Sequence, residues 1–337
     1  MKLVSAVIVV YGCEPWLERS VRAVLASEGI DVEVVLVDNG CTDDAVEVVG
    51  LLPKVTVVRP AENLGFAGGC QVGAEAARGE VLAFVNPDAI AAPEALARLS
   101  TVALRPGVGI ATASVRLADR PDHLNSAGNE VHFLGLSWSG SFDQPACEHH
   151  VEREAMAASG AGMALSMHVW QALGGMEKEF FAYYEDADLS LRCWHQGLRV
   201  VYVPDAVVVH RYEFSRNERK LFLVERNRLL VVLTLYEVRT LVLLAPALLA
   251  LEIAVLGLSF RQGWWRQKVS GWWWLVQHRS WVAERRRRVQ RARTVGDRTL
   301  SSRFAVAIDP GNFSVPPSLK PLNRGLAAYW RAVRKAL

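Results

Sequence analysis

The residues best equipped for chemistry lie in one stretch, Phe180-Phe181-Ala182-Tyr183-Tyr184-Glu185-Asp186-Ala187-Asp188-Leu189-Ser190-Leu191-Arg192. Three carboxylates fall within four residues, behind an aromatic run, where a helix is expected to open. A helix N-terminus favours negative charge and keeps a carboxylate ionised, ready to accept a proton. Asp188 and Arg192 are four apart and can pair. Capping by acids is the bland alternative, and it accounts for one or two of the three. Packing does not need such a cluster, whereas a group transfer that needs a base does. Tyr183 and Tyr184 could stack on a sugar ring.

Five further groups sit where strands are expected to end. Tyr11 follows Val7-Ile8-Val9-Val10, and Asp38-Asn39-Gly40-Cys41-Thr42-Asp43 follows Val32–Val37. A carboxylate at Asp38 can accept the ring N–H of uracil or thymine; a plain loop and N-cap is the alternative. Asn63-Leu64-Gly65-Phe66-Ala67-Gly68-Gly69 reads as a glycine-rich turn into a helix over Cys70–Ala77. Backbone N–H groups there can face phosphate or ribose oxygens, or the glycines can simply let helix and sheet pack closely. No Gly-Lys-Ser/Thr follows, so it is no Walker loop. Asn86-Pro87-Asp88 offers one carboxylate that could hold a divalent cation against a diphosphate, or form an Asx turn. His210 closes an apolar strand, a place for a metal ligand or a structural histidine.

The elements that must position these groups alternate. Strands are expected over Val4–Val10, Val32–Val37, Val55–Val58, Val81–Val85 and Val108–Val115, with helices near 14–27, 45–49 and 93–104 between them. β-branched runs unbroken by polar residues imply a parallel sheet covered on both faces, with ligands beyond the carboxyl ends of its strands. Residues 116–155 lack periodicity. A strand and helix follow over 159–173, with Gly160 and Gly162 permitting close backbone approach, and two strands over 200–203 and 206–209.

The chain has 337 residues and a net charge of +3, so bulk attraction to nucleic acid is not indicated. Leu3–Val10 reads as a buried strand rather than a signal peptide. Cys13, Cys41, Cys70, Cys147 and Cys193 lack metal-ligand spacing; reduced, mostly buried thiols and a cytosolic setting are expected. Beyond Glu218 the character changes. Leu229–Leu235 and Leu241–Phe260 are apolar but for Glu237, Arg239, Pro246 and Glu252, and six tryptophans between Trp264 and Trp281 precede Arg285-Arg286-Arg287-Arg288. Indoles beside cations suit a membrane interface, so a segment lying on or re-entering the bilayer is expected over a clean span.

In this order the motifs resemble those of family 2 glycosyltransferases with the GT-A fold, and among these the bacterial rhamnosyltransferase-like members acting on cell-surface glycans. The resemblance covers roughly residues 3–228. It implies a Rossmann-like, mostly parallel α/β sheet flanked by helices over 1–218, with a donor half to about 115 and an acceptor half from 116. Residues 219–337 would form a helical, membrane-associated extension. It implies inverting transfer of a sugar, rhamnose by analogy, from a dTDP- or UDP-linked donor to a hydroxyl of a lipid-linked glycan. The setting would be the inner face of the cell membrane. Asp186 would be the base, with Glu185 and Asp188 orienting base or acceptor. Tyr11, Asp38, Asn63, Gly65, Gly68, Asn86 and Asp88 would hold the donor. Asp88 and His210 would bind Mg²⁺ or Mn²⁺. Asn86 departs from the family's usual acidic residue at the head of this motif, which puts metal dependence in question. A non-catalytic nucleotide-sugar-binding membrane scaffold, or a soluble glycosyltransferase acting on a small molecule or protein, are the alternatives.

Overall fold

The structure, a computed structural model, describes residues 2–211, 219–311 and 319–337. Alternating β-branched segments build its centre. Strand β1 (Leu3–Gly12) is followed by α1 (Leu17–Leu25), β2 (Asp31–Cys41), α2 (Ala45–Gly50), β3 (Val55–Val58), α3 (Gly65–Ala76) and β4 (Val81–Val85). Next come β5 (Ala89–Ala91), α4 (Ala95–Ala103), β6 (Val108–Leu117), three short strands β7 (Leu124–Ser126), β8 (Asn129–Val131) and β9 (Ser137–Ser139), and β10 (Arg153–Glu154). Then β11 (Gly162–Ser166), α5 (Met167–Leu173), α6 (Glu185–His195) and β12 (Arg199–His210) complete the sheet region.

The main path through the sheet runs β10-β12-β6-β11-β4-β1-β2-β3. Pairs β4–β1, β1–β2, β2–β3 and β6–β12 are parallel, while β11 runs antiparallel between β4 and β6. The sheet is therefore mostly parallel rather than wholly so. Period-two alternation divides it between two cores. Val7, Val9, Val35 and Val37 face one, with α3, α5 and α6; Ala6, Ile8, Val34 and Leu36 face the other, with α1 and α4. The first core continues without a break into Leu230, Leu235, Leu244 and Trp330 of the C-terminal region. The expected junction at 218/219 borders a stretch outside the described residues.

Three expectations change. Helix α3 begins at Gly65, not Cys70, so the glycines lie within a helix. They are there for packing: a Cβ on Gly69 would meet Val9 at 2.6 Å. The two strands expected over 200–209 are one, β12, whose register shifts between Val203 and Val207 and so absorbs Pro204. Of the five cysteines, none in a disulfide, Cys70 and Cys193 are buried but Cys13 and Cys147 are exposed.

C-terminally, α7 (Lys220–Leu235), α8 (Val238–Gln262), α9 (Trp265–Gln277), α10 (Arg279–Arg291), α11 (Asp297–Leu300) and α12 (Leu319–Ala336) follow. Helix α8 has a mean hydropathy of 2.5 in its most apolar window, of which only 6% is buried. Val238, Val242, Leu249, Ile253 and Phe260 face outward along it. Glu252, midway, is held inward by Arg228 of α7 and Lys268 of α9, and accepts from Trp272 Nε1 at 2.6 Å. The basic run after it is partly internal: Arg285 is 1% exposed, so it does not face lipid as expected.

Candidate active site

At the carboxyl ends of β4, β6 and β12 the molecule opens into a cleft of roughly 630 Å³. Asn86, Gly160, Glu185, Asp186 and His210 line it, with Asn125, Asn129, Trp138 and Lys220. Helix α6 aims Asp186 into it. Asp186 Oδ2 accepts from Asn129 Nδ2 and from the Gly160 N–H, both at 3.1 Å. A Cβ on Gly160 would meet Phe66 at 3.3 Å but Asp186 Oδ2 only at 3.8 Å, so this glycine makes room for the Phe66 ring rather than for the carboxylate. Burial pushes the Asp186 carboxyl above the ordinary aspartate range, against the pull of those hydrogen bonds. Glu185 beside it is buried, and burial with the neighbouring Asp186 charge raises it well above the glutamate range.

A second polar group centres on His210 in the lining of the same cleft. His210 Nε2 is 3.2 Å from Asp88 Oδ1 and 3.2 Å from Asn86 Nδ2. Asn125 Oδ1 sits 2.9 Å from His210 Nδ1, so the ring proton is assigned to Nδ1 and Nε2 is left as a lone pair. Nε2 can accept from the Asn86 amide and stands beside the Asp88 carboxylate, where imidazole and carboxylate together could hold a cation. One carboxylate and an imidazole oriented by Asn125 suit a divalent cation completed by phosphate and water oxygens. Among the described residues no cluster of three or more His, Cys, Asp or Glu side chains forms a closed metal cage.

Tyr11 and Asp38 lie farther along the same edge, at the ends of β1 and β2. Asp38 Oδ1 accepts from the N–H groups of Gly40 and Cys41 at 3.2 and 2.9 Å, and Arg59 Nε lies 3.3 Å from Oδ2. The Tyr11 ring lies beside Gly40 and is 61% exposed, an open face beside an anchored carboxylate.

Other expected groups serve the scaffold. Asn63 Oδ1 accepts from Asn39 Nδ2 at 2.9 Å and from the Gly65 N–H at 2.8 Å. A Cβ on Gly65 would overlap the Phe181 carbonyl, and one on Gly68 would meet Leu64 at 2.7 Å. None of Asn63, Gly65 or Gly68 lines the cleft. Asp188 is a correction: it is fully buried on the far side of α6, paired with Arg285 and, at 2.9 Å, with Arg192. Its two arginines hold it below the ordinary aspartate range despite burial. The expected Asp188–Arg192 pair is present, but Asp188 cannot reach an acceptor in the cleft.

Sequence reasoning missed Asn125, Asn129, Trp138 and Lys220. The first three lie in aperiodic segment 116–155, where only the Asn125-Ser126-Ala127-Gly128-Asn129 run hinted at polar loop ends. Lys220 stands where the chain re-enters the described region; burial lowers its pKa to about 8, and its Nζ lies 5.3 Å from the Tyr183 ring centre.

A mostly parallel sheet with carboxylates gathered beyond its strand ends defines the class of nucleotide-sugar transferases with the GT-A fold. The family model "Glycosyltransferase like family 2" matches residues 2–230, and the chain belongs to that family. It is 28% identical over 238 residues to an N-acetylglucosaminyl-diphospho-decaprenol L-rhamnosyltransferase of Mycobacterium tuberculosis, covering 63% of this chain and 77% of that one. The matches to proteins of Sinorhizobium fredii and Nostoc are partial, spanning 22% and 32% of those proteins and 55% and 29% of this chain, at 27% and 34% identity. Among solved structures, GalNAc-T7 with UDP, GalNAc and Mn²⁺ superposes with a TM-score of 0.57 at 18% identity, covering 69% of this chain and 48% of that one. The mannosyltransferase PcManGT from Pyrobaculum calidifontis, in complex with GDP-Man and Mn²⁺, gives 0.51 at 16% identity, covering 98% and 85%. These two likenesses are of fold.

Proposed function

We propose that this chain transfers a sugar, with inversion, from a dTDP- or UDP-linked donor to a hydroxyl of a lipid-linked cell-surface glycan. The observation that carries this reading is the cleft itself: Asp186, held by Asn129 and Gly160, lines it together with Asn86 and His210, and His210 in turn contacts Asp88 just behind the lining. Tyr11 would stack on the pyrimidine while Asp38 accepts its ring N–H. Asn86 and Asp88 would meet the donor's diphosphate, with Asp88 and His210 holding Mg²⁺ or Mn²⁺. The cation would neutralise charge on the departing diphosphate. Asp186 takes the acceptor hydroxyl proton as the new C1–O bond forms and the bond from C1 to the diphosphate oxygen breaks, its electron pair leaving with the diphosphate. Glu185, buried beside it with its carboxyl raised well above the glutamate range, would orient the base. Rhamnose is supported by the name of the mycobacterial relative.

The outward apolar stripe on α8, with Trp265 and Trp273 exposed beside it, supports peripheral attachment to the inner face of the membrane. Glu252, pinned midway to Arg228 and Lys268, favours a helix lying on the bilayer over one crossing it. Release of nucleoside diphosphate from a panel of nucleotide sugars, with and without Mn²⁺, tests the transfer. No turnover of any donor, to acceptor or to water, sinks it. Flotation with anionic liposomes tests the attachment; protein left at the bottom at low salt removes it.

A further inference from the structure

The turn that delivers Asp186 to the cleft is strained. Phe181, Tyr183 and Tyr184 have φ of 65°, 68° and 73°, three of the six non-glycine residues with positive φ among those described. The Ala182 N–H closes back on the Phe180 carbonyl at 2.8 Å, a three-residue γ-turn of the unfavourable hand. Such a conformation persists only where its surroundings over-determine it. One side chain does most of that. Asn227 of α7 is fully buried, and its Nδ2 lies 2.9, 3.0 and 2.7 Å from the carbonyls of Phe180, Ala182 and Tyr183. Its own Oδ1 is fixed by Arg226, whose Nη2 also donates to the Glu179 and Phe180 carbonyls at 2.7 and 2.9 Å. From the opposite side the Ala67 N–H of α3 donates to the Phe181 carbonyl at 3.0 Å, in the space Gly65 leaves.

We propose that Asn227 is the positioning residue for the proposed base: its amide holds the left-handed turn that sets Asp186 against Asn129 and Gly160. The inference rests on the transfer reading above, and deepens it. Asn227 does not line the cleft, so it acts only through the turn. Gly65 then has the complementary part of admitting the Phe181 carbonyl, rather than facing a phosphate.

The test is Asn227→Ala in the full chain, with kcat, donor KM and the pH profile measured together. A loosened turn should lower kcat about 10- to 100-fold with donor KM changed less than about threefold, because misplacing a base costs chemistry rather than donor binding. The groups around Asp186 are Glu185 and Asp188 on its helix, Tyr184 before it, and His210 and Lys220 in the lining of the same cleft. Losing the Asn129 and Gly160 hydrogen bonds, which favour the ionised form, moves the acid limb of kcat to higher pH. Should Asn227→Ala fail to fold, Asn227→Ser keeps one donor, and Gly65→Ala displaces the same turn from the other side; both should show the same signature. Unchanged kcat, or a fall with the acid limb unmoved, overturns the proposal. If the wild-type chain turns over no donor, the transfer reading fails by itself. The Asp186 carboxyl followed by carbon-13 NMR then decides: a higher pKa in the variants supports Asn227, and an identical titration rejects it.

Discussion

Helix α6 carries two aspartates two residues apart, and its two faces put them to opposite uses. Asp186 looks into the cleft, with neutral donors around it and its pKa raised by burial. Asp188 looks into the protein, clasped by Arg192 and Arg285, with its pKa lowered. Both are desolvated; what differs is whether a cation compensates. A carboxylate with no cationic partner is basic enough to take a proton. One between two guanidiniums is not, but it ties α6 to α10. The same motif therefore supplies chemistry on one side and cohesion on the other.

The comparison breaks first at Asp186. Asp186→Asn should lower transfer about a hundred- to ten-thousandfold, the usual worth of a general base, and leave the melting temperature near wild type. Retained transfer would remove it from that part. Asp188→Asn should do the reverse. Removing the buried charge that Arg192 and Arg285 share, with Glu177 at 3.4 Å still beside Arg285, costs about 3 kcal/mol of stability, read by urea unfolding, while the folded fraction keeps donor binding. A variant as stable as wild type would show the buried pair to be dispensable.

Acid separates the two faces next. Asp186 must be ionised to act, and its pKa is raised, so activity should fade at a pH above the ordinary aspartate value. Asp188 has a depressed folded pKa, so its stabilisation is complete above the unfolded value and is lost as pH falls through the lower, folded one. Between those limits the protein should be inactive yet folded, and should recover on neutralisation; near-UV circular dichroism and assays after pH jumps check this. Simultaneous loss of structure and activity would mean one group governs both. The smallest effect belongs to Arg288, which pairs with Glu177 at the rim of the inner face and is 61% exposed. Arg288→Ala should cost no more than about 1 kcal/mol.

How much of this could be read beforehand depends on range. Strands β3 and β4 fall on the expected residues: β4 is buried throughout and reads as a continuous apolar run, while β3, half-exposed at the sheet edge, is marked by its β-branched residues. Helix α3 starts early because Gly65, Gly68 and Gly69, poor helix formers, are recruited by close contact with β1 and the Phe181 turn, which local propensity does not contain. Asn86, Glu185, Asp186 and His210 were legible as candidates because each sits at an element's end beside a recognisable run, and they do meet at one cleft. Asn125, Asn129 and Lys220 were not, because no period leads to them.

By itself the sequence determined the order of strands and helices, the two cores written in alternation, and the family. Those follow from local pattern, which the chain carries wherever it goes. Only the tertiary structure decided which aspartate of Glu185-Asp186-Ala187-Asp188 meets the cleft. Residues two apart on a helix point about 200° from each other, so one of the two must turn inward. Which one depends on a turn held by Asn227 and on an arginine, Arg285, reaching in from α10. Neither is a sequence neighbour of the motif, and the electrostatics that separates base from brace arises only when they arrive.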